Sequence, residues 1–282
     1  MAIKKFLKLQ MNEKNIKLYI DLLTKIKCPF TLETSNYTTK IISDTYNVYF
    51  LKGIQSNQTF AAAAKIKSDL KNTEIPVIDM ARNCYFDTGF KGEGFYSDRV
   101  YNIDIKNAYP SILYNAGFIK LSTYEYLNKL PKKNKLAALG MLASKKDIFH
   151  HSKTGEVFKM EERISPLSNF FFYCVQETEN IIQSCKNQIL MDSFLFSWVD
   201  GIYYLNHNDN YRSITQNHLK KDFNLDSSFQ VLTDFEVQLK KEHYKINFID
   251  AKQKNKIFNI PLPQTKLKKE IIHYLLTKKY DK

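Results

Sequence analysis

The sequence lacks paired cysteines, long apolar runs and a full complement of acids. Its four cysteines, Cys28, Cys84, Cys174 and Cys185, are scattered, with no CxxC among them. Isolated thiols give neither a disulfide framework nor a zinc site, and they suit a reducing cytoplasm. No stretch approaches the roughly 20 apolar residues that cross a bilayer, so no membrane partner is expected. The N-terminus MAIKKFLKLQ is basic, yet no long apolar segment or small-residue cleavage site accompanies it, which argues against secretion and for a cytoplasmic protein. Internal repeats and low-complexity linkers are missing too.

What the chain does have is core material and positive charge. Of its 282 residues 44% are hydrophobic and 14% aromatic, enough for a sizeable core in one large domain or two small ones. Forty-two Lys and Arg face 29 Asp and Glu, a net charge of +13, so a polyanionic partner is expected. The excess is concentrated. Residues 120–146 hold seven lysines and a single acid, Glu125, and residues 251–282 hold nine lysines with Glu270 and Asp281.

The apolar periodicity predicts helices around NIKLYIDLLTKI and TFAAAAKIKSDLKN, with a strand-like TTKIISDTYNVYFLKG between them. A glycine-bearing loop, DTGFKGEGFYSD, leads to the strand RVYNIDI. Pro110 stops that strand beyond Tyr109 and turns the chain into a short helix, SILYNAG. One helix, KNKLAALGMLASKK, is predicted in the basic stretch that follows. Ser165-Pro166 is a helix start. Phe171, Val175, Thr178, Ile182, Cys185 and Ile189 then share one helical face. SFLFSWVDGIYYL predicts a hairpin turning at Asp200-Gly201, before a helix YRSITQNHLKKDF and a strand SFQVLTDFEVQL. Strand, helix, hairpin, helix, strand over 100–238 is the βαββαβ order of a ferredoxin-like sheet, an α+β fold that hosts many functions.

Asp104 ends the first strand of this pattern and Asp200 sits at the hairpin tip, positions that can be neighbours in such a sheet. Two adjoining carboxylates repel unless a cation lies between them, and Mg²⁺ takes one or two carboxylates plus phosphate oxygens. Each aspartate alone has an ordinary explanation as a turn or cap residue. Both readings stand at this point.

The residues themselves resemble family B DNA polymerases. IDIKNAYPSIL is similar to motif A of that family, Asp-x-x-Ser-Leu-Tyr-Pro-Ser-Ile. Asp104, Tyr109, Pro110, Ser111 and Ile112 match in register, while Asn107 and Ala108 replace Ser and Leu. SWVDGIYYL resembles motif C, Tyr-Gly-Asp-Thr-Asp-Ser, with Asp200 at the second aspartate and Trp198 in place of the first. KLAALGMLA is similar to a degenerate motif B that keeps Lys135. LKKEHYKI resembles the Lys-Lys-x-Tyr signature of the palm–thumb junction, and ARNCYFDTGFKGEGF the segment before motif A in the protein-primed branch.

The resemblance implies a minimal DNA-directed DNA polymerase of a phage or mobile element. Asp104 and Asp200, helped by the Ile105 carbonyl, would hold two Mg²⁺ ions or their Mn²⁺ substitutes. Tyr109 would exclude a ribose 2′-hydroxyl, with Ser111 and Lys135 also at the deoxynucleoside triphosphate. Lys240, Lys241 and Tyr244 would hold the primer strand. The partners implied are primer–template or single-stranded DNA and a processivity or priming protein. The layout expected is a small α/β N-terminal region, 1–80, and a palm, 81–119 with 163–238. A reduced fingers insertion, 120–162, and a reduced basic thumb, 239–282, complete it. Only a faint trace of an exonuclease motif, Phe30 to Thr34, precedes the palm, so no proofreading is expected, and the altered motif B implies low fidelity. Two other readings remain: a primase-like or RNA-synthesising palm, against which Tyr109 speaks, and a degenerate palm that binds DNA in replication or defence. His150-His151, in a stretch expected to be a polar loop, lacks partners for a metal site.

Overall fold

The computed structural model describes residues 7–8, 13–35, 38–44, 47–51, 57–78, 86–89, 94–96, 100–190, 192–205, 210–240 and 243–261. The fold is α+β and divides into two compact units, Met1–Asp79 with Tyr109–Cys174 and Met80–Ala108 with Val175–Lys282.

The chain starts with β1 (Leu7–Lys8), α1 (Glu13–Lys25), β2 (Phe30–Thr34), β3 (Thr38–Ser43), β4 (Asn47–Leu51) and α2 (Asn57–Leu70). Ile16, Tyr19, Ile20 and Leu23 fall on one stripe of α1 and pack on Phe30, Ile41 and Val48 of the strands beneath. Lys27, at φ 52°, ends this helix, and the Cys28 and Lys27 amides donate to the Leu23 and Thr24 carbonyls. The run TTKIISDTYNVYFL, expected as one strand, is the antiparallel pair β3–β4.

Next come β5 (Phe86–Thr88), β6 (Gly94–Tyr96) and β7 (Val100–Ile105), then α3 (Ala108–Asn115). Asn107, at φ 51°, makes the reversal between β7 and α3, a left-handed conformation that asparagine tolerates. Pro110 occupies the first turn of α3, where its missing N–H costs no helical hydrogen bond. The basic stretch holds two helices, α4 (Leu121–Lys129) and α5 (Lys132–Gly140), and then a hairpin, β8 (Lys145–His151) with β9 (Val157–Ile164). His150 and His151 thus lie on a strand, not in a loop. His151 stacks on Phe30 with ring centroids 4.3 Å apart.

The first unit's sheet runs β1-β4-β3-β2-β8-β9, antiparallel except for β1 beside β4. The N-terminal region and the expected fingers insertion therefore share one sheet, joined where β2 pairs with β8 from Phe30↔His151 to Thr34↔Asp147. Helix α2 buries Thr59, Ala62, Ala63, Ile66 and Leu70 and packs against α5.

The remaining elements are α6 (Ser168–Lys186), β10 (Phe194–Trp198), β11 (Gly201–Leu205), α7 (Asn210–Phe223), β12 (Ser227–Leu239), β13 (His243–Ile249) and β14 (Asn255–Pro261). The Ser165 hydroxyl accepts from the Leu167 amide just before α6. Val175, Thr178, Ile182, Cys185 and Ile189 are all buried, as their spacing predicts. The second unit's sheet is β14-β13-β12-β7-β11-β10-β5, with β6 also on β12. Asp234, at φ 51°, interrupts β12 where its pairing passes from β7 to β6 and β13. Part of the stretch expected as a thumb thus continues this sheet as β13 and β14; residues 262–282 lie outside the described residues. Among the described residues no helix is long and apolar enough to cross a membrane.

Candidate functional site

The site rests on three neighbouring strands, β12, β7 and β11. Register places Asp104 of β7 directly between Gly201 of β11 and Ser228 of β12. Asp200 immediately precedes Gly201, and its backbone carbonyl accepts a 2.9 Å hydrogen bond from the Ile105 amide. The hairpin tip is thereby tied to the end of β7, and the two aspartates are brought together as expected. Both are half-buried.

The hairpin differs from expectation by one residue. Its two-residue turn is Val199-Asp200, and Gly201 already belongs to β11, paired with Trp198. Gly201 serves close approach instead. A methyl group at its position would stand 3.2 Å from Asn102 Nδ2 and 3.3 Å from both Asp104 Oδ1 and the Tyr203 ring. Glycine lets the Asp104 carboxylate lie over β11.

The strain sits at Val199, with φ 54°. A β-branched residue in this region is an outlier, and L-residues there lose about 1–2 kcal/mol. Val199→Gly removes that strain while adding freedom to the unfolded chain. A net gain of up to about 1 kcal/mol is expected, read as a higher thermal midpoint, by a few degrees. A lower midpoint would mean that the valine side chain's packing outweighs its backbone cost.

Several residues that the sequence reading passed over complete the site. Asn102, two residues before Asp104, lies on the same face of β7 and is 1% exposed. Its amide donates to the Ile202 carbonyl at 3.3 Å and accepts from Gln230 Nε2 at 2.7 Å. Its buried polar atoms are thus satisfied, and it braces β7 between its neighbours. Tyr203 is buried and stacks on Phe196 at 4.0 Å. Burial pushes its hydroxyl pKa far up, and the charges of Asp104 and then Asp200 raise it further. It remains a neutral phenol beside two carboxylates. Strand alternation around Asp104 was the available signal for Asn102; nothing local marked Gln230.

Trp198, where motif C has an acid, stacks on Phe258 at 6.0 Å and packs against the aromatic core of Phe196, Tyr203, Phe235 and Phe248. The site therefore holds two carboxylates and an aromatic wall. Among the described residues no three His, Cys, Asp or Glu side chains converge.

Tyr109, Ser111 and Lys135 belong to the first unit. The Tyr109 ring meets Phe171 edge-on at 5.7 Å. Ser111 is buried, with its hydroxyl 3.4 Å from that of Tyr124. Lys135 is 7% exposed, and desolvation, followed by the charge of Lys132, lowers its pKa. Of the expected primer-binding residues, Lys240 is exposed beside the β12–β13 turn, and Tyr244 is half-buried against the aromatic core. Lys241 lies outside the described residues.

No protein-family model matches this chain, and no curated protein does. The functional reading therefore rests on the residues and their geometry.

Proposed function

We propose that the protein is a minimal nucleotidyltransferase, a DNA-directed DNA polymerase without proofreading, built on a palm. The observation that carries this reading is the juxtaposition of Asp104 and Asp200 at the ends of paired strands, with glycine cleared between them. The strand order supports it. Counting β7, β10, β11 and β12 as one to four, they lie side by side as four, one, three, two, the arrangement of a ferredoxin-like sheet with antiparallel neighbours.

Two carboxylates are the donor set that Mg²⁺ accepts when phosphate oxygens and water complete its shell. Asp104 and Asp200, with the Ile105 carbonyl, would hold such ions. When bound, the ions supply Lewis-acid stabilisation of triphosphate charge and an activated attacking hydroxyl. The protein's own residues orient and exclude. Asn102 and Gln230 fix β7 beneath Asp104, and Tyr203 and Trp198 present an apolar wall. As the resemblance implies, Tyr109 would exclude a ribose 2′-hydroxyl, with Ser111 and Lys135 also serving the deoxynucleoside triphosphate. The +13 net charge draws in the template, with Lys240, Lys241 and Tyr244 on the primer strand.

The test is extension of a primed DNA template by the purified chain with Mg²⁺ or Mn²⁺. Incorporation that stops on chelation is the expected result; no incorporation with either ion overturns the enzymatic reading. Tyr109→Val is expected to cut discrimination against ribonucleotides by about tenfold or more, as the loss of one steric contact implies. Unchanged discrimination would remove Tyr109 from that role.

One observation favours a second reading, a DNA-binding palm without turnover: the packing of Trp198 into the core in place of a third acid. Salt-dependent DNA binding that ignores Mg²⁺ and yields no product would select it.

A further inference from the structure

The first unit contains a cleft of about 270 Å³ that uses none of the proposed site residues. Strands β2, β3 and β8 form one side and helix α2 the other. Lys40, Lys67 and Lys146 line it against one acid, Glu33. Glu33 stands across from Lys40 in the β2–β3 ladder, and its Oε2 is 3.6 Å from Lys146 Nζ. The lining thus carries three lysines against one carboxylate, a positive balance. Four hydroxyls, from Thr34, Ser35, Thr38 and Ser144, make the same space polar; that of Ser35 donates to the Thr38 carbonyl at 3.2 Å, and that of Thr34 is 3.4 Å from the Thr39 hydroxyl. Phe60 supplies an aromatic ring, while Ala63 and Ala64 keep the helical side low.

The chemistry of this lining selects among anions. Carboxylates and planar groups are best matched by the arginine fork, and no arginine is among the lining residues. Lysine point charges with hydroxyl donors suit the tetrahedral oxygens of a phosphate. The volume is near the lower end of small-molecule pockets, about 300–1,000 Å³, so it has room for a phosphate and its attached sugar rather than an extended ligand. An aromatic ring beside the phosphate site suits a base. We propose that this cleft binds the phosphomonoester end of a nucleotide, either free or as the 5′ terminus of a strand.

The electrostatics of Lys67 agree with this ligand. Desolvation, and next the charge of Lys146, lowers the pKa of Lys67. A doubly charged phosphate beside Lys67 would favour its charged form.

The inference does not depend on the paired aspartates and is tested apart from them. The full chain is titrated by fluorescence anisotropy with a labelled short oligothymidylate carrying a 5′-phosphate. Unlabelled competitors are the same strand with a 5′-hydroxyl, adenosine 5′-monophosphate and inorganic phosphate. The phosphorylated end is expected to compete about tenfold better than the hydroxyl end, the ratio that roughly one charged contact provides. The doubly substituted Lys40→Gln, Lys67→Gln chain is expected to lose that preference. Ala64→Glu adds a negative charge to the cleft from an exposed helical position and is expected to abolish the preference as well, with the core untouched. Lys71→Gln, exposed and outside the lining, should keep it, as should Asp104→Asn. Competition by adenosine 5′-monophosphate assigns the cleft to free nucleotides; competition by the phosphorylated strand alone assigns it to strand ends. Equal affinity for both ends with no binding of the mononucleotide, or a preference that survives in the lysine variants, overturns the proposal.

Discussion

Asp104→Asn is expected to slow Mg²⁺-dependent nucleotide incorporation on the order of a thousandfold, about 4 kcal/mol of transition-state stabilisation. The substitution preserves size and removes only charge. Asp104 and Asp200 are half-buried at adjoining positions and both act on Tyr203, and like charges held close together repel. Neutralising one should leave thermal stability unchanged or slightly raised, and that separates a catalytic role from a structural one. Asp200→Ala should match it, and the double variant should be scarcely worse than either, because groups that act as one unit are not additive. Rates come from primer extension under single-turnover conditions. A variant that extends primers like the parent refutes the two-carboxylate reading, whatever its stability.

Phe196→Ala carries the largest expected stability effect. Its ring is fully buried, lies 4.0 Å from Tyr203 in a parallel stack and approaches Phe235 and Phe258 at 6.1 and 6.3 Å. Truncation removes the aromatic contacts and leaves a cavity between strands that cannot close fully, a loss of about 3–5 kcal/mol. Urea unfolding followed by tyrosine and tryptophan fluorescence measures it. Because Tyr203 loses its stacking partner beside Asp104 and Asp200, incorporation should fall even where the protein remains folded. Phe196→Leu, which keeps most of the volume, should recover much of the stability. A loss below about 1 kcal/mol for the alanine would mean that the stack contributes little to the core.

The parts of this fold that local chemistry encodes were legible. Pro110 marked the helix that follows β7, although that helix begins at Ala108 and the reversal lies at Asn107, ahead of the proline, and the three-and-four spacing from Val175 to Ile189 marked the buried face of α6. The β7 and hairpin aspartates followed from strand order. The turn was misjudged by one position because Asp-Gly is the favoured hairpin pair. At this tip, however, the space over Gly201 is taken by Asp104 and Asn102, so glycine is needed inside the strand and valine is left to make the bend. The hairpin β8–β9 was missed for a different reason. Every residue of VFKMEERI except Glu161 is exposed, so no alternation of buried and exposed positions betrays the strand. The union of the N-terminal region with that hairpin was beyond reach, since the pairing of β2 with β8 is recorded in no single stretch of sequence. Asn102 and Gln230 likewise declare their partnership only across strands.

That pairing has a bearing on how the protein is made. The hydrogen bond between Thr31 and His150 spans 119 positions of chain, and β2 has no neighbour on that side until β8 has been synthesised. A growing polypeptide must therefore hold its first four strands half-assembled while residues of the other unit pass through, a slow, non-local closure. The first sheet can close once Ile164 has emerged, when the second unit has only β5, β6 and β7 available and β7 lacks both of its lateral partners. Synthesis from the N-terminus thus makes the two sites available in order. All residues of the lysine-lined cleft are present once Lys146 has emerged, whereas the aspartate pair can come together only after the hairpin arrives.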